Sequence, residues 1–248
     1  MSYFSTSAQT IILQEVESTN DYMYHLLGNK DLVEGTIIAA GYQTRGKGHS
    51  GNYWHSDPGK NLLMSILLKP TWLEPMFQFY ISRILSIAIW KWINNFCKDV
   101  SIRWPNDIYI KDKKVAGLLI ENIIEGDIIR DSIAGIGVNI NQDKFPDNLP
   151  NPTSVSLETG CQFDMTKVLD QMKDLIELHY EWLYTKEFEK IDHEYHKILY
   201  GKDTFRKFRE KERDFTAKII GTEPTGEIIL ETREGEILKF GFKEIEYA

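Results

Sequence analysis

Hydrophobic and polar positions alternate with two periods along this chain, and the change of period marks its elements. Ile11-Ile12-Leu13-Gln14-Glu15-Val16 reads as a first strand. Ser18 or Thr19 then caps a helix carrying Tyr22, Met23, Leu26 and Leu27 at helical spacing, and Gly28-Asn29 stops it. Thr36 to Tyr42 forms a second strand and Asn61 to Lys69 a third, whose unbroken apolar run predicts burial on both faces. A helix over residues 75–96 aligns Phe79, Ile84, Ile87, Ala88 and Trp92.

From Val100 a short strand meets Pro105, which cannot donate to a central ladder and implies a kink or an edge. Ile108-Tyr109-Ile110, the turn Lys111-Asp112-Lys113 and the run Lys114 to Glu121 make a hairpin. Ile128 to Asn141 is a further strand, with loop over residues 143–156. Helices follow over Thr166 to Tyr184 and Glu187 to Leu199, the second capped by Gly201.

Beyond Gly201 the texture changes to short strands separated by the turns Glu223-Pro224-Thr225-Gly226 and Arg233-Glu234-Gly235. Four or five strands in so short a segment suggest a small barrel that needs support from its neighbour. The boundary falls near residue 200, giving a large unit over 1–200 and a small one over 201–248.

The net charge of −8 argues against a general nucleic-acid binder, which would show a basic face. Cys97 and Cys161 lie far apart and without metal-ligand spacing, so neither a disulfide framework nor a metal site is indicated. The most apolar helical segment, Phe77 to Ile93, is interrupted by Arg83 and Lys91 and is too short to span a bilayer comfortably. Its first residues lack the pattern of a signal peptide. The expectation is a soluble protein of the reducing cytoplasm, with no membrane partner.

Candidate chemistry concentrates in Gln43-Thr44-Arg45-Gly46-Lys47-Gly48-His49-Ser50-Gly51-Asn52-Tyr53-Trp54. Glycine lets backbone N–H groups approach an anion closely. The Gly46-x-Gly48-x-x-Gly51 spacing matches the dinucleotide fingerprint, but Pro58-Gly59 leaves no room for the helix that fingerprint requires. Arg45, Lys47, His49, His55 and Lys60 form a basic cluster on an acidic background, which suits a small anionic ligand. Elsewhere the signals are weaker alone. Ser18-Thr19-Asn20 reads locally as a helix cap, and Lys114 as a solvated turn residue. Gly135 and Gly137 weaken a strand unless something approaches its backbone, so that strand lines a site, and Asn139 offers a polar contact at its end.

Taken in order, four stretches resemble one family. They are Glu-Ser-Thr-Asn at 17–20, Gln-Thr-x-Gly-x-Gly-x-x-Gly-x-x-Trp at 43–54, Arg-Trp-Pro-Asn-Asp with Lys-Val-Ala-Gly at 103–117, and Gly-Ile-Gly-Val-Asn at 135–139. This series is similar to that of biotin protein ligases, nearly end to end. The resemblance implies an α/β (α+β) fold, with a mixed, largely antiparallel sheet flanked by helices and a small C-terminal SH3-like barrel. It implies activation of biotin with ATP and Mg2+ to biotinyl-5′-AMP, then transfer to a lysine of a biotin carboxyl carrier protein. Such chemistry rests on positioning and charge stabilisation, and the chain shows no Ser-His-Asp or Cys-His pattern.

Carried over by position, the resemblance makes Lys114 the catalytic residue, bonding the biotin carboxylate and the phosphate. Ser18, Thr19, Asn20, Gln43, Lys47, Gly48, His49, Gly117 and Gly137 fall at biotin-binding positions. Gly46, Lys47, Asn52, Trp54, Asn106, Asp107 and Asn139 fall on the nucleotide side, with magnesium near Asp107. The loop departs from the family where many relatives carry arginine, at Lys47, His49 and Asn52, so its grip on phosphate is expected to be weaker unless Arg45 compensates. A strand starting by Ile11 leaves no place for the DNA-binding domain of some relatives, so no DNA partner is expected. Either a monomer or a homodimer is compatible with the sequence. The rival readings are a lipoate or octanoate ligase of the same fold and a nonenzymatic biotin-binding module.

Overall fold

The structure, a computed structural model, describes residues 3–248. The larger part is a seven-stranded sheet with the order β1-β2-β3-β7-β6-β5-β4. It contains β1 (Thr10–Val16), β2 (Ile37–Gln43), β3 (Leu62–Leu68), β4 (Val100–Arg103), β5 (Asp107–Ile110), β6 (Lys113–Glu125) and β7 (Ile128–Val138). Only β1 and β2 pair in parallel; every other neighbour is antiparallel.

Period-two alternation sends successive side chains of each strand to opposite faces, and both faces are covered. Helix α1 (Thr19–Leu27) lies on one of them, where Met23 closes over Ile38, Leu67 and Ile133. Helices α2 (Phe79–Asn94), α4 (Met165–Tyr184) and α5 (Phe188–Lys197) cover the other, and receive Ile37, Ala39, Leu62, Met64, Ile66 and Leu68. All seven residues of β3 are consequently buried, as its apolar run predicts. No helix of the described residues is long and apolar enough to cross a membrane.

Two local expectations are revised and one is sharpened. The short strand that meets Pro105 is β4, which pairs antiparallel with β5, and Trp104-Pro105-Asn106 makes the turn between them. The kink rule located the proline correctly at an edge, since β4 is the outermost strand. The stretch around 155 holds a short helix, α3 (Val155–Thr159), whose cap is the Ser154 hydroxyl accepting from the Leu157 N–H. Five residues are too few to show periodicity. Finally, β6 runs on to Glu125 because β7 continues to pair with it out to Ile128.

The C-terminal segment forms a separate five-stranded antiparallel sheet of the SH3-like kind, ordered β11-β10-β9-β8-β12. Its strands are β8 (Phe205–Glu210), β9 (Arg213–Thr222), β10 (Ile228–Thr232), β11 (Ile237–Phe240) and β12 (Glu246–Tyr247). Phe208, Ala217, Ile219, Ile228, Leu230, Phe240 and Ile245 are continuous with the main core, so the small sheet shares its hydrophobic interior with the large one.

A buried cation fastens the two together. Arg83 projects from α2 and is fully buried. Its guanidinium meets the Asp192 carboxylate and donates to Thr222 O (3.0 Å), Thr222 Oγ1 (2.8 Å) and Glu223 O (2.8 Å). The face of its plane lies 4.4 Å from the centroid of the Tyr80 ring. A charge this deep is tolerated only because one carboxylate, two carbonyls and a hydroxyl accept from it. Trp104 adds a second tie, donating from Nε1 to Gly226 O at 2.8 Å. His196 adds a third, with Nε2 accepting from the Thr222 N–H at 3.1 Å.

Replacing Arg83 by methionine keeps the apolar contacts but removes the charge that meets Asp192 and the donors to Thr222 and Glu223. Urea unfolding is expected to register a loss of about 2–3 kcal/mol, less than for a fully buried pair because Asp192 is part exposed and keeps the Tyr80 hydroxyl. His196 yields a pH effect. Burial, and then the nearby Arg83 charge, push its ring down to about 4 from 6.5. The unfolded chain therefore binds the extra proton first, and stability falls as pH drops from about 6.5 towards 4. The full shift is discounted for the ring's residual solvent contact, leaving an effect of up to about 2 kcal/mol. His196→Gln should flatten stability against pH across that window; an unchanged slope would exclude His196 as its source.

Candidate functional site

The site lies on the α1 face of the large sheet, where three strand glycines leave a trough. Register places Leu63, Gly137 and Gly117 side by side across β3, β7 and β6, and Ser65, Gly135 and Leu119 in the next row. Side chains cannot replace those glycines. A Cβ on Gly137 would sit 2.5 Å from Trp54 Cε2, and one on Gly135 would sit 2.4 Å from Asn20 Oδ1. A Cβ on Gly117 would meet Trp54 Cζ3 at 3.1 Å and Asp107 Oδ1 at 3.2 Å. The glycines thus admit the Trp54 indole and the Asn20 amide close to the sheet. Over the trough is a cavity of about 270 Å³.

One end of it is a polar hydrogen-bonded network. Ser18 caps α1, with its hydroxyl accepting from the Asp21 N–H at 3.4 Å. Gln43, the last residue of β2, accepts through Oε1 from the Thr19 N–H (2.7 Å) and from the Thr19 hydroxyl (3.1 Å). These two bonds fix the orientation of the amide, and Gln43 lines the cavity wall. Below, the Ser65 hydroxyl is shared between Asn20 Oδ1 (2.6 Å) and Thr19 Oγ1 (2.7 Å). Asn20 Nδ2 donates to Glu121 Oε2 (2.7 Å) and Leu119 O (3.2 Å). With both halves of its amide engaged by the protein, Asn20 holds the others in place.

The other end is charged. Lys114, near the start of β6, puts its Nζ 2.7 Å from Asp107 Oδ1 and 5.7 Å from the centroid of the Trp54 ring. Asn106 braces this corner, with its Nδ2 donating to Leu118 O and the Leu118 N–H returning to Asn106 O at 3.0 Å. The glycine loop folds over it as a small hairpin. The Trp54 N–H donates to Gly46 O (2.8 Å), the Gly48 N–H donates to Asn52 O (2.7 Å), and Gly51 takes φ +83°. Only residues 49–51 turn helically, so the loop opens no helix and the dinucleotide reading is excluded. His49 stands at this end, edge-on to Phe242 with ring centroids 5.8 Å apart. Burial, then the charge of Lys243, push its imidazole below the usual histidine range.

Nearly all the candidate residues converge. Ser18, Thr19, Asn20, Gln43, Lys47, Gly48, His49, Asn52, Trp54, Asn106, Asp107, Lys114, Gly117 and Gly137 line the one cavity. Gly46 does not: it serves the loop, where a Cβ would meet Trp54 O at 2.6 Å. Asn139 lines an adjoining cavity of about 420 Å³, which shares Asn52, Tyr53, Trp54 and Lys114 with the first. It donates to Thr153 O at 3.0 Å, and its Oδ1 is buried without a partner. Lys47 pairs with Asp21 at 2.5 Å on the rim. Arg45 turns outward to Glu17 at 3.6 Å and lines neither cavity, so it does not replace charge missing from the loop.

Sequence reasoning missed Ser65 and Glu121, although a lone serine inside seven buried strand positions was a signal. It also missed the far wall, formed by Phe242, Lys243, Ile245 and Tyr247 of the C-terminal sheet. No local pattern marks those four, because only docking of the small sheet brings them there.

With this geometry in view, the relatives agree. The family model described as the biotin/lipoate A/B protein ligase family matches residues 12–139. The chain is 34% identical over 231 residues to the bifunctional ligase/repressor BirA of Bacillus spizizenii, covering 92% of this chain and 71% of that one. It is 28% identical over 140 residues to the biotin–[acetyl-CoA-carboxylase] ligase of Paracoccus denitrificans, covering 54% and 58%. Among solved structures, the biotin protein ligase from Aquifex aeolicus in complex with biotin and ATP superimposes with a TM-score of 0.80 at 27% identity, over 97% of this chain and 99% of that one. A trough floored by strand glycines, polar at one end and cationic at the other, is thus carried by a chain that belongs to the biotin/lipoate A/B protein ligase family, among the biotin protein ligases.

Proposed function

We propose that this protein activates biotin with MgATP to biotinyl-5′-adenylate, releasing pyrophosphate, and then passes the biotinyl group to a lysine of a biotin carboxyl carrier protein. The observation that carries this reading is the polarity of the trough. The Ser18, Thr19 and Gln43 set offers hydroxyls and an amide to a ligand head that both donates and accepts, as a cyclic urea does. The dithiolane of a lipoyl group has no N–H or carbonyl with which to bond this polar wall, as a cyclic urea has. The polar end therefore favours biotin over the lipoyl alternative.

The carboxylate at the other end of the ligand reaches Lys114. An ammonium has three donors; one serves Asp107 and two remain for the carboxylate and the α-phosphate. Lys114 thereby holds two mutually repelling anions in contact while a carboxylate oxygen attacks phosphorus and pyrophosphate departs, which is catalysis by positioning and charge. In the second step the carrier's amine attacks the carbonyl of the mixed anhydride, loses a proton, and AMP leaves. The cavity beyond Trp54, lined by Tyr53, Asn139, Phe145 and Leu149, is placed to take the base and ribose. Magnesium enters with the nucleotide. Among the described residues no three carboxylate, imidazole or thiol side chains gather into a cage for it, and Asp107 is the acidic side chain at the phosphate end.

One assay tests the whole reading: incubation with ATP, labelled biotin or lipoate, and a carrier domain, following pyrophosphate release and carrier labelling. Biotin-dependent release and labelling are expected; lipoate-dependent release, or binding without turnover, would refute it. Lys114→Ala is expected to slow adenylation by about 10²–10³-fold, and full activity would remove this lysine from the mechanism. His49, held neutral by burial and Lys243, gives little charge to the phosphate, and Asn52 gives none. His49→Arg and Asn52→Arg should slow escape of biotinyl-adenylate severalfold in a filter-retention time course; off-rates equal to the unmodified protein's would rule out loop charge as the determinant of retention.

A further inference from the structure

The cations around the cavity are not equivalent. Lys47 stands against Asp21 at 2.5 Å and Lys114 against Asp107 at 2.7 Å, so each already faces a carboxylate. Arg45 is turned away towards Glu17. Lys243 differs. It lines the cavity from the turn between β11 and β12, and among the described residues it faces no carboxylate at ion-pair distance.

The backbone at this lysine lies in the left-handed region, as it does at Lys111, Lys186 and Lys211 in other turns. The turn is closed by the Glu244 N–H donating to Gly241 O (3.3 Å) and by the Gly241 N–H donating to the Glu244 carboxylate (2.6 Å). That closure puts Lys243 at φ +70°, a region that a β-carbon disfavours and that glycine or asparagine occupies readily. Lys243 also shares its surroundings with the phosphate end of the trough. Lys243, Asp107 and Lys114 all act electrostatically on His49, and Phe242, its neighbour in the chain, packs against the same imidazole. The amide end answers to a different set, Lys47 with Asp21 and Glu121.

We propose that Lys243 is a further phosphate-binding residue, its ammonium meeting the α-phosphate of the nucleotide in ATP and then in the acyl-adenylate beside His49. The inference rests on the ligase reading above. It assigns the C-terminal sheet a direct part in the site, and it supplies a full positive charge where the loop carries histidine and asparagine. An unpaired ammonium beside a phosphate gains a charge-assisted bond, whereas the paired lysines must divide their donors.

The test uses the intact protein and biotin-dependent ATP–pyrophosphate exchange. Lys243→Ala and Lys243→Gly are expected to raise KM for ATP by about tenfold and to hasten loss of the adenylate, with KM for biotin held within roughly twofold. Lys243→Arg should restore most of the ATP affinity. Because glycine suits φ +70°, Lys243→Gly should also raise the thermal midpoint, so affinity and stability move in opposite directions and general damage is excluded. Exchange that is intact in the unmodified protein and indifferent to both substitutions overturns this inference alone, as does an equal rise in KM for biotin. Absence of exchange in the unmodified protein overturns the ligase reading and this inference with it.

Discussion

The constraint on which the site depends is the absence of three β-carbons. Gly117 lies in β6 and Gly135 and Gly137 in the C-terminal half of β7, where any other residue would fill the trough. Interior strand glycines cost stability, and this sheet bears that cost between two covered faces with an extensive core behind it. In return the Trp54 ring and the Asn20 amide lie almost on the backbone. From that contact follow the height of the glycine loop above the sheet, the placement of Lys114 beside the indole, and the reach of Thr19 to Gln43. The loop is shaped by what it rests on.

Around the trough the two ends use different physics. The polar end is a chain of hydrogen bonds in which Ser65, Thr19, Asn20, Gln43 and the Glu121 carboxylate fix one another. Such a network orients donors towards a ligand and leaves little rotamer freedom to lose on binding. The charged end holds Lys114 against Asp107, so the ammonium is positioned before an anion arrives. A cyclic urea joined by an alkyl chain to a carboxylate matches both ends in order. The C-terminal sheet closes the far side, and Arg83 holds it there through two carbonyls and a hydroxyl of the β9–β10 corner. Stability and ligand binding are therefore linked through one buried guanidinium, some distance from the chemistry.

Much of this was legible in the residues themselves. Local rules decide the period of β3, the Ser18 cap, the hairpin of β5 and β6 and the turn chemistry after Gly201, because each depends on neighbours within a few positions. The order and spacing of the four motifs likewise identified the family and most of the cavity lining. What tertiary structure decided lies between segments distant in sequence. Arg83 reads as a break in an apolar helix until β9 supplies Thr222 and makes it the fastening of a second sheet. Arg45 reads as a loop cation until Glu17 draws it away, and Lys243 as a charged turn residue until that sheet docks and turns it towards the site. A side chain's partners are set by which surfaces meet, and composition and periodicity carry no record of that; they do carry the record of which faces must be buried for the surfaces to meet at all.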